Sequence, residues 1–464
     1  MATTRRDFLR TSACALGGVA MASTLDSFGI VHALTPQQAT DYRALVCIFL
    51  NGGNDGNNTV VDLNQYNSYA AARGVDLAIP QANLLSVAPV TGGSFGFHPN
   101  LTQLRDLFNQ QKLAVISNVG PLVEPLTKTT YQNNTGKKPL QLFSHSDQVG
   151  LFQTAIANVV SQTGWSGRVA DRLTNLNGSS TFPQNISIAG INLLLTGVNT
   201  RQLAVADSGT TLANVLQLIM TGSTSEVNSR TTSFNELRNY DRNFTLIRAA
   251  SDTRTSAIQT DQALSNFNPI LQTAFPNTSL GRQLLQVARL IKACTDPAAG
   301  INMKRQIFFC QIGGFDTHSA QIGGQSGLLT QLSAAMNAFY NATVELGVAN
   351  NVTTFTLSDF GRTLQPAGSG AAQVGSDHAW GNNHFIMGGS VLGGRFYGTY
   401  PTLALGGPDD TDSGGNPRGR WIPTTSVEQY AATLASWYGL SSVDFAAVFP
   451  LIGRFATPTL PFMA

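Results

Sequence analysis

Arg43-Ala44-Leu45-Val46-Cys47-Ile48-Phe49-Leu50 is a continuous apolar run that stops at Asn51-Gly52-Gly53-Asn54-Asp55-Gly56. Unbroken hydrophobicity, as opposed to alternation, predicts a strand buried on both faces, as in a parallel sheet. The pattern recurs at 112–118, 305–312 and 352–357, and a shorter apolar stretch at 384–387 enters Gly388-Gly389. Helical periodicity lies between these runs, at 101–109, 148–160, 281–294, 326–346 and 427–438. Strands alternating with helices predict an α/β fold of three layers, α/β/α, with a mainly parallel central sheet.

Two stretches depart from this rhythm. Residues from about 204 to 277 are rich in Thr, Ser, Asn and Arg, with helical pattern and no strand signal. They read as a polar helical insertion or cap on the α/β core. Residues 407–420 contain Asp409, Asp410 and Asp412 among glycines, but the spacing does not match an EF-hand. A solvated surface turn is expected there.

The first 33 residues are of another kind. Arg5-Arg6-Asp7-Phe8-Leu9 precedes a short, mildly apolar stretch rich in Ala, Gly and Ser, and Val31-His32-Ala33 offers a small-residue cleavage site. This is the pattern of a twin-arginine export signal, too short and too weakly apolar to remain as a span. The working domain is then expected at 34–464, periplasmic or extracellular, exported already folded through the twin-arginine translocase. Net charge is only +2 and charged residues are 12% of the 464. That excludes a nucleic-acid footprint or polybasic membrane patch, and no later apolar run is long enough for a stable membrane anchor. Beyond the signal, Cys47, Cys294 and Cys310 make an odd count, which argues against a disulfide framework.

The chemistry is concentrated where strands end. Asp55 follows the first strand, Asp316 and His318 the third (Gly-Gly-Phe-Asp-Thr-His), and Asp359 the fourth (Ser-Asp-Phe-Gly-Arg). Ligands of open α/β sheets bind outside the carboxyl ends of the strands, so these side chains are expected to converge. Several aspartates packed together repel unless a cation sits among them. The histidines sharpen this: His145, His318, His378 and His384 stand in short polar turns near acids, while His98, before Pro99, reads as structural. Oxygen ligands with imidazoles suit a divalent metal, zinc or else manganese, calcium or magnesium. Ser144 opens a helix and reads either as a nucleophile in the positive end of the helix dipole or as a plain N-cap with Asp147 as its partner. Arg362 reads either as a clamp for an anionic substrate or as the partner of a structural carboxylate.

Taken together, the signal, the Asn-Gly-Gly-Asn-Asp55-Gly turn, Phe97-His-Pro, Gly-Trp165-Ser-Gly-Arg168, Gly-Gly-Phe-Asp316-Thr-His318, Ser-Asp359-Phe-Gly-Arg362, Ser-Asp377-His378-Ala-Trp-Gly-Asn-Asn-His384 and Trp421-Ile-Pro resemble one family. It is the exported bacterial family known as domain of unknown function 1501, which looks like a member of the alkaline phosphatase/sulfatase-like superfamily. The resemblance covers nearly the whole chain. It implies two metals at strand carboxyl ends, with Asp55, Asp316, His318, Asp359 and His378 in the places of ligands and Ser144 in that of the helix-start nucleophile. Three features depart from the relatives. Phe360 follows Asp359 where a ligand histidine stands, Asp316 and His318 are two apart where relatives space them by four, and Ser144 lacks the Cys/Ser-x-Pro-x-Arg context. His384 or His145 is available as the missing ligand. The resemblance implies a secreted, metal-dependent hydrolase of phosphate or sulfate esters, acting on a small anionic ester or a polysaccharide. The alternative is a non-catalytic binding or surface-assembly protein on the same scaffold.

Overall fold

The computed structural model describes residues 41–212, 222–265, 267, 269–370 and 372–464. The export signal expected at 1–33 lies outside them. In chain order the strands are β1 (Arg43–Leu50), β2 (Val60–Asp62), β3 (Leu85–Val87), β4 (Phe95–Phe97), β5 (Leu113–Gly120), β6 (Asn185–Ser187), β7 (Gln202–Ala204), β8 (Arg305–Ile312), β9 (Val352–Ser358), β10 (Asn382–Gly388), β11 (Phe396–Tyr397) and β12 (Thr425–Ser426). Nine of them form one sheet in the order β11-β5-β10-β9-β1-β8-β6-β7, with β12 also paired to β5, and β2-β4-β3 form a small second sheet.

The fully apolar runs became the middle of the large sheet. β1 pairs in parallel with β8 on one side and β9 on the other. Its residues alternate between two cores: Ala44, Val46, Ile48 and Leu50 face one, and Leu45, Cys47 and Phe49 face the other. Helices Thr102–Asn109, Ser279–Thr295 and Gln321–Glu345 cover the first face. Helices Trp165–Leu173 and Val427–Tyr438 cover the second. This is the expected three-layer α/β/α arrangement with a mainly parallel sheet. Only β10 runs against its neighbours, antiparallel to both β5 and β9. Its amino end therefore lies beside the carboxyl ends of the others. Cys47, Cys294 and Cys310 are buried and free.

Two helices differ from expectation in ways that matter. One starts at His145, where the Ser144 reading puts it and three residues before the periodic run, and stops at Thr154, short of 160, because Ala155 turns left-handed (φ 50°). The other spans Gln321–Glu345, starting a turn earlier than 326, which carries Gln321 over the sheet edge. The 204–277 region contains helices Thr224–Asn239 and Thr245–Ser265. Among the described residues, no helix is long and apolar enough to cross a membrane.

The Gly-Trp165-Ser-Gly-Arg168 motif is structural. Trp165 is wholly buried, Ser166 donates to the Leu194 carbonyl at 2.7 Å, and the Arg168 guanidinium donates to the carbonyls of Thr154, Thr163 and Val448. Gly167 lies so close to the 194–197 segment that a Cβ there would run into the Thr196 carbonyl. Gly167→Ala should therefore lower the unfolding free energy by about 1–3 kcal/mol, the usual cost of overpacking, read by chemical denaturation. An unchanged midpoint would contradict this packing.

Candidate metal centre

The carboxyl edge of the sheet collects its polar residues through four short segments. Asp359 follows β9 directly, Asp316 and His318 follow β8 by a glycine turn, and His378 lies on the lead-in to reversed β10. His145 opens the helix on the second face. Asp359 is almost wholly buried. One of its oxygens accepts the Gly52 amide at 2.9 Å, and the other faces His145 Nδ1 at 2.8 Å.

The histidines share one orientation. His145 Nδ1 faces the Asp359 carboxylate at 2.8 Å, His378 Nδ1 faces the Phe143 carbonyl at 2.8 Å, and His318 Nδ1 faces Asp377 Oδ1 at 3.3 Å. An acceptor at each Nδ1 places the hydrogen there and leaves Nε2 with its lone pair. The three Nε2 atoms then converge on Asp316 Oδ1, at 3.0 Å from His318, 3.4 Å from His145 and 3.6 Å from His378. The Nε2 atoms of His318 and His378 are themselves 2.9 Å apart. His145, Asp316 and His378 each offer a donor atom within 4.8 Å of the others. Mutually facing lone pairs repel unless a proton or a cation lies between them. His145 Nε2, buried and without a hydrogen-bond partner, is the plainest sign of this.

Electrostatics favour a ligating form. Burial pushes the Asp316 carboxyl up, but Arg362, His318 and His145 more than reverse that and hold it below the usual carboxylate range. Burial is also the largest influence on His378 and lowers it. The Phe143 hydrogen bond works the other way, while the charges of His145, Arg362 and His318 reinforce the lowering. Neutral imidazole and ionised carboxylate are the forms that bind metals. Asp316 is half exposed, so the cluster opens to solvent.

Not every expected site residue joins this cluster. Asp55 is wholly buried, paired with buried Arg73 at 2.6 Å, bonded by Gln321 and by the Asn57 amide at 2.9 Å. Its carboxylate is occupied as a structural anion and as the cap of helix Gly56–Thr59. His384 points from β10 into the apolar second face, its ring 5.6 Å from Phe152 and 5.9 Å from Tyr430. Neither ring nitrogen has a partner, and burial drives its pKa down to about 3. Arg362 is no free substrate clamp. Its side chain has no exposure, and its nitrogens donate to the carbonyls of Gly53, Ser376 and Gly52 and to Asp316. Ser144 does not cap its helix by a side-chain hydrogen bond; its hydroxyl donates to Asp147 Oδ2 at 2.6 Å. His145, earlier only an available substitute, is central. The Ser-His-Ser-Asp turn was its one visible signal.

The chain matches the family model described as protein of unknown function, DUF1501, over residues 42–410. It belongs to that family. No curated protein matches it. Solved structures similar to this DUF1501 protein include Ps i-CgsB in complex with k-i-k-neocarrahexaose, 9% identical over 90% of this chain and 78% of that one, TM-score 0.31. Another is the lipoteichoic acid synthase LtaP from Listeria monocytogenes, 6% identical over 87% and 73%, TM-score 0.32. A third is the alkaline phosphatase of the Antarctic bacterium TAB5, 10% identical over 77% and 95%, TM-score 0.27.

Two predictions follow from the residues outside the cluster. Asp55→Ala leaves the Arg73 charge buried without a partner and should cost about 3–5 kcal/mol of unfolding free energy in denaturant. A loss below 1 kcal/mol would show that Arg73 finds water or another acceptor. His384 has a folded pKa near 3, below the ordinary imidazole value of 6.5, so the unfolded chain binds more protons between those values. Its contribution is complete above about pH 6.5 and is lost as pH falls toward 3. His384→Leu should flatten the fall in stability over that window; an unchanged slope would count against a neutral buried imidazole.

Proposed function

We propose that this DUF1501 protein is an exported, metal-dependent hydrolase of phosphate or sulfate esters with a one-metal centre at His145, Asp316, His318 and His378. The observation that carries the metal reading is the common tether: three imidazoles, each held at Nδ1 by an oxygen, turn Nε2 toward one carboxylate. Histidine ligands are oriented in this way by outer partners. Ligands of a tetrahedral zinc at ~2.0–2.1 Å stand ~3.3 Å apart. Four separations within the cluster, from 2.9 to 3.6 Å, bracket that figure. Three nitrogens and one oxygen suit zinc or another imidazole-binding transition metal better than calcium or magnesium, which favour oxygen. A bound metal there would act as a Lewis acid on an ester oxygen.

The chain's own groups supply the rest. Ser144 is the proposed nucleophile: Asp147, already accepting its hydrogen, would take the proton as the oxygen attacks phosphorus or sulfur. The ester P–O or S–O bond would break with the proton passed to the leaving alcohol, and water would then release phosphate or sulfate and restore the serine. The start of helix His145–Thr154 places positive dipole beside the developing charge. Arg362 fixes Asp316 in the cluster. The substrate would be a small anionic ester or an ester group on a polysaccharide, reached outside the cytoplasm after twin-arginine export. The resemblance in the motifs supports the ester chemistry; the two-metal form it implies loses Asp55 to Arg73. That loss favours the second reading, a non-catalytic binding or surface-assembly protein that keeps the metal for structure or recognition.

Protein purified from the periplasm should hold about one metal ion per chain and cleave aryl phosphate or aryl sulfate until a chelator is added. His145→Ala and His378→Ala should lose the metal, whereas Ser144→Ala should keep it and lose about a hundredfold or more in rate. Metal-free protein, or chelator-insensitive turnover, would refute the metal-dependent hydrolase. Metal without turnover on either ester class would select the second reading.

A further inference from the structure

We propose that the loop 406–420 is a clamp that sets metal affinity by holding two of the three histidines from outside, and that Asp410 is its pin. The inference rests on the metal reading of the cluster. Contrary to the expected solvated turn, Asp410 has no exposure. One of its oxygens accepts the amides of Gly406 and Gly419, each at 2.9 Å, and the other those of Arg420 at 3.0 Å and Asp412 at 3.1 Å. Four N–H donors saturate the carboxylate, so it draws the two ends of the loop together and has no capacity left for a cation.

What the closed loop delivers is a pair of arginines. Arg418 donates to Asp377 Oδ2 at 2.5 Å, and the other oxygen of Asp377 faces His318 Nδ1. Arg420 donates from Nε to the His378 carbonyl at 3.2 Å, and its guanidinium lies over the Phe143 ring, 4.9 Å from the centroid. Phe143 is the residue whose carbonyl holds His378 Nδ1. Each arginine thus braces the acceptor that orients one histidine. His145 is held differently, by buried Asp359 at the end of β9, with no part of the loop between them. Opening the loop therefore frees His318 and His378 while leaving His145 in place. Arg418 and Arg420 are positioning residues in this scheme.

The test is zinc affinity of the full-length mature protein, by competition with a chromophoric chelator, together with the visible spectrum of the cobalt-substituted form. Arg418→Ala and Asp410→Asn should each weaken zinc by about 10- to 100-fold, the usual effect of removing an outer partner. The cobalt bands should shift, the melting of metal-free protein should stay within a few degrees, and Arg418→Lys should recover part of the affinity. A fold defect alone would lower the melt without moving the cobalt bands in the folded fraction, and that result overturns the clamp. Zinc binding within about twofold of the parent in both variants overturns it as well, while leaving the metal reading intact. A parent protein that takes up no zinc or cobalt overturns the metal reading, and the clamp with it.

Discussion

The site depends on one buried cation. Arg362 has no solvent exposure, yet it follows a strand end by only a few residues and reaches three separate pieces of chain. It donates to the Gly52 and Gly53 carbonyls after β1, to the Ser376 carbonyl before β10, and to Asp316 after β8. A guanidinium in the interior is stable only if its charge is met and its donors are filled. The glycine turns make that possible: Gly52 and Gly53 have φ of 113° and 81°, a region where other residues are strained, and so turn their carbonyls inward. Asp316 supplies the counter-charge while staying half exposed. The same bond that satisfies Arg362 thus aims Asp316 at the histidines.

The reversed strand supplies the other half of the geometry. In a purely parallel sheet, the residues before a strand lie at the opposite edge from those after it. β10 runs antiparallel to β5 and β9, so Asp377 and His378, which precede it, arrive beside Asp316 and Asp359, which follow their strands. His318 and His378 can meet at 2.9 Å only because of this reversal. An otherwise ordinary α/β edge thereby gains a histidine from a strand's entrance and not only from strand exits.

Much of this was legible in the amino-acid order. The continuous apolar runs became β1, β5, β8 and β9, and the glycine-flanked acids after them do sit at one edge. What the pattern could not show was which acid keeps a free face. Asp55 and Asp359 look alike in sequence, each in a polar turn after a buried strand. Arg73, 18 residues away on a separate helix, claims the first, while His145, 214 residues away, meets the second. Long-range partners of this kind leave no local trace. His384 misled for another reason: the two-residue period of a strand decides its facing, and the polar Asn382-Asn383 before it disguised a position on the apolar side. His145 was undervalued because its partner Asp359 lies 214 residues away and leaves no trace in the Ser-His-Ser-Asp turn.

The three tethers also explain why the cluster can be open and still ordered. An exposed imidazole normally samples several rotamers and two tautomers, and fixing one costs free energy when a ligand arrives. Here the cost is met on folding. Asp359 is anchored by the Gly52 amide, Phe143 offers a main-chain carbonyl, and Asp377 is held by Arg418. These anchors differ in depth. The first lies within the sheet edge, the second in a short turn before a helix, and the third at the surface, with the Asp377 side chain 35% exposed. Burial of the anchors therefore falls off across the cluster from His145 to His318. The cluster thus keeps one histidine fixed against the core and another held only from the surface.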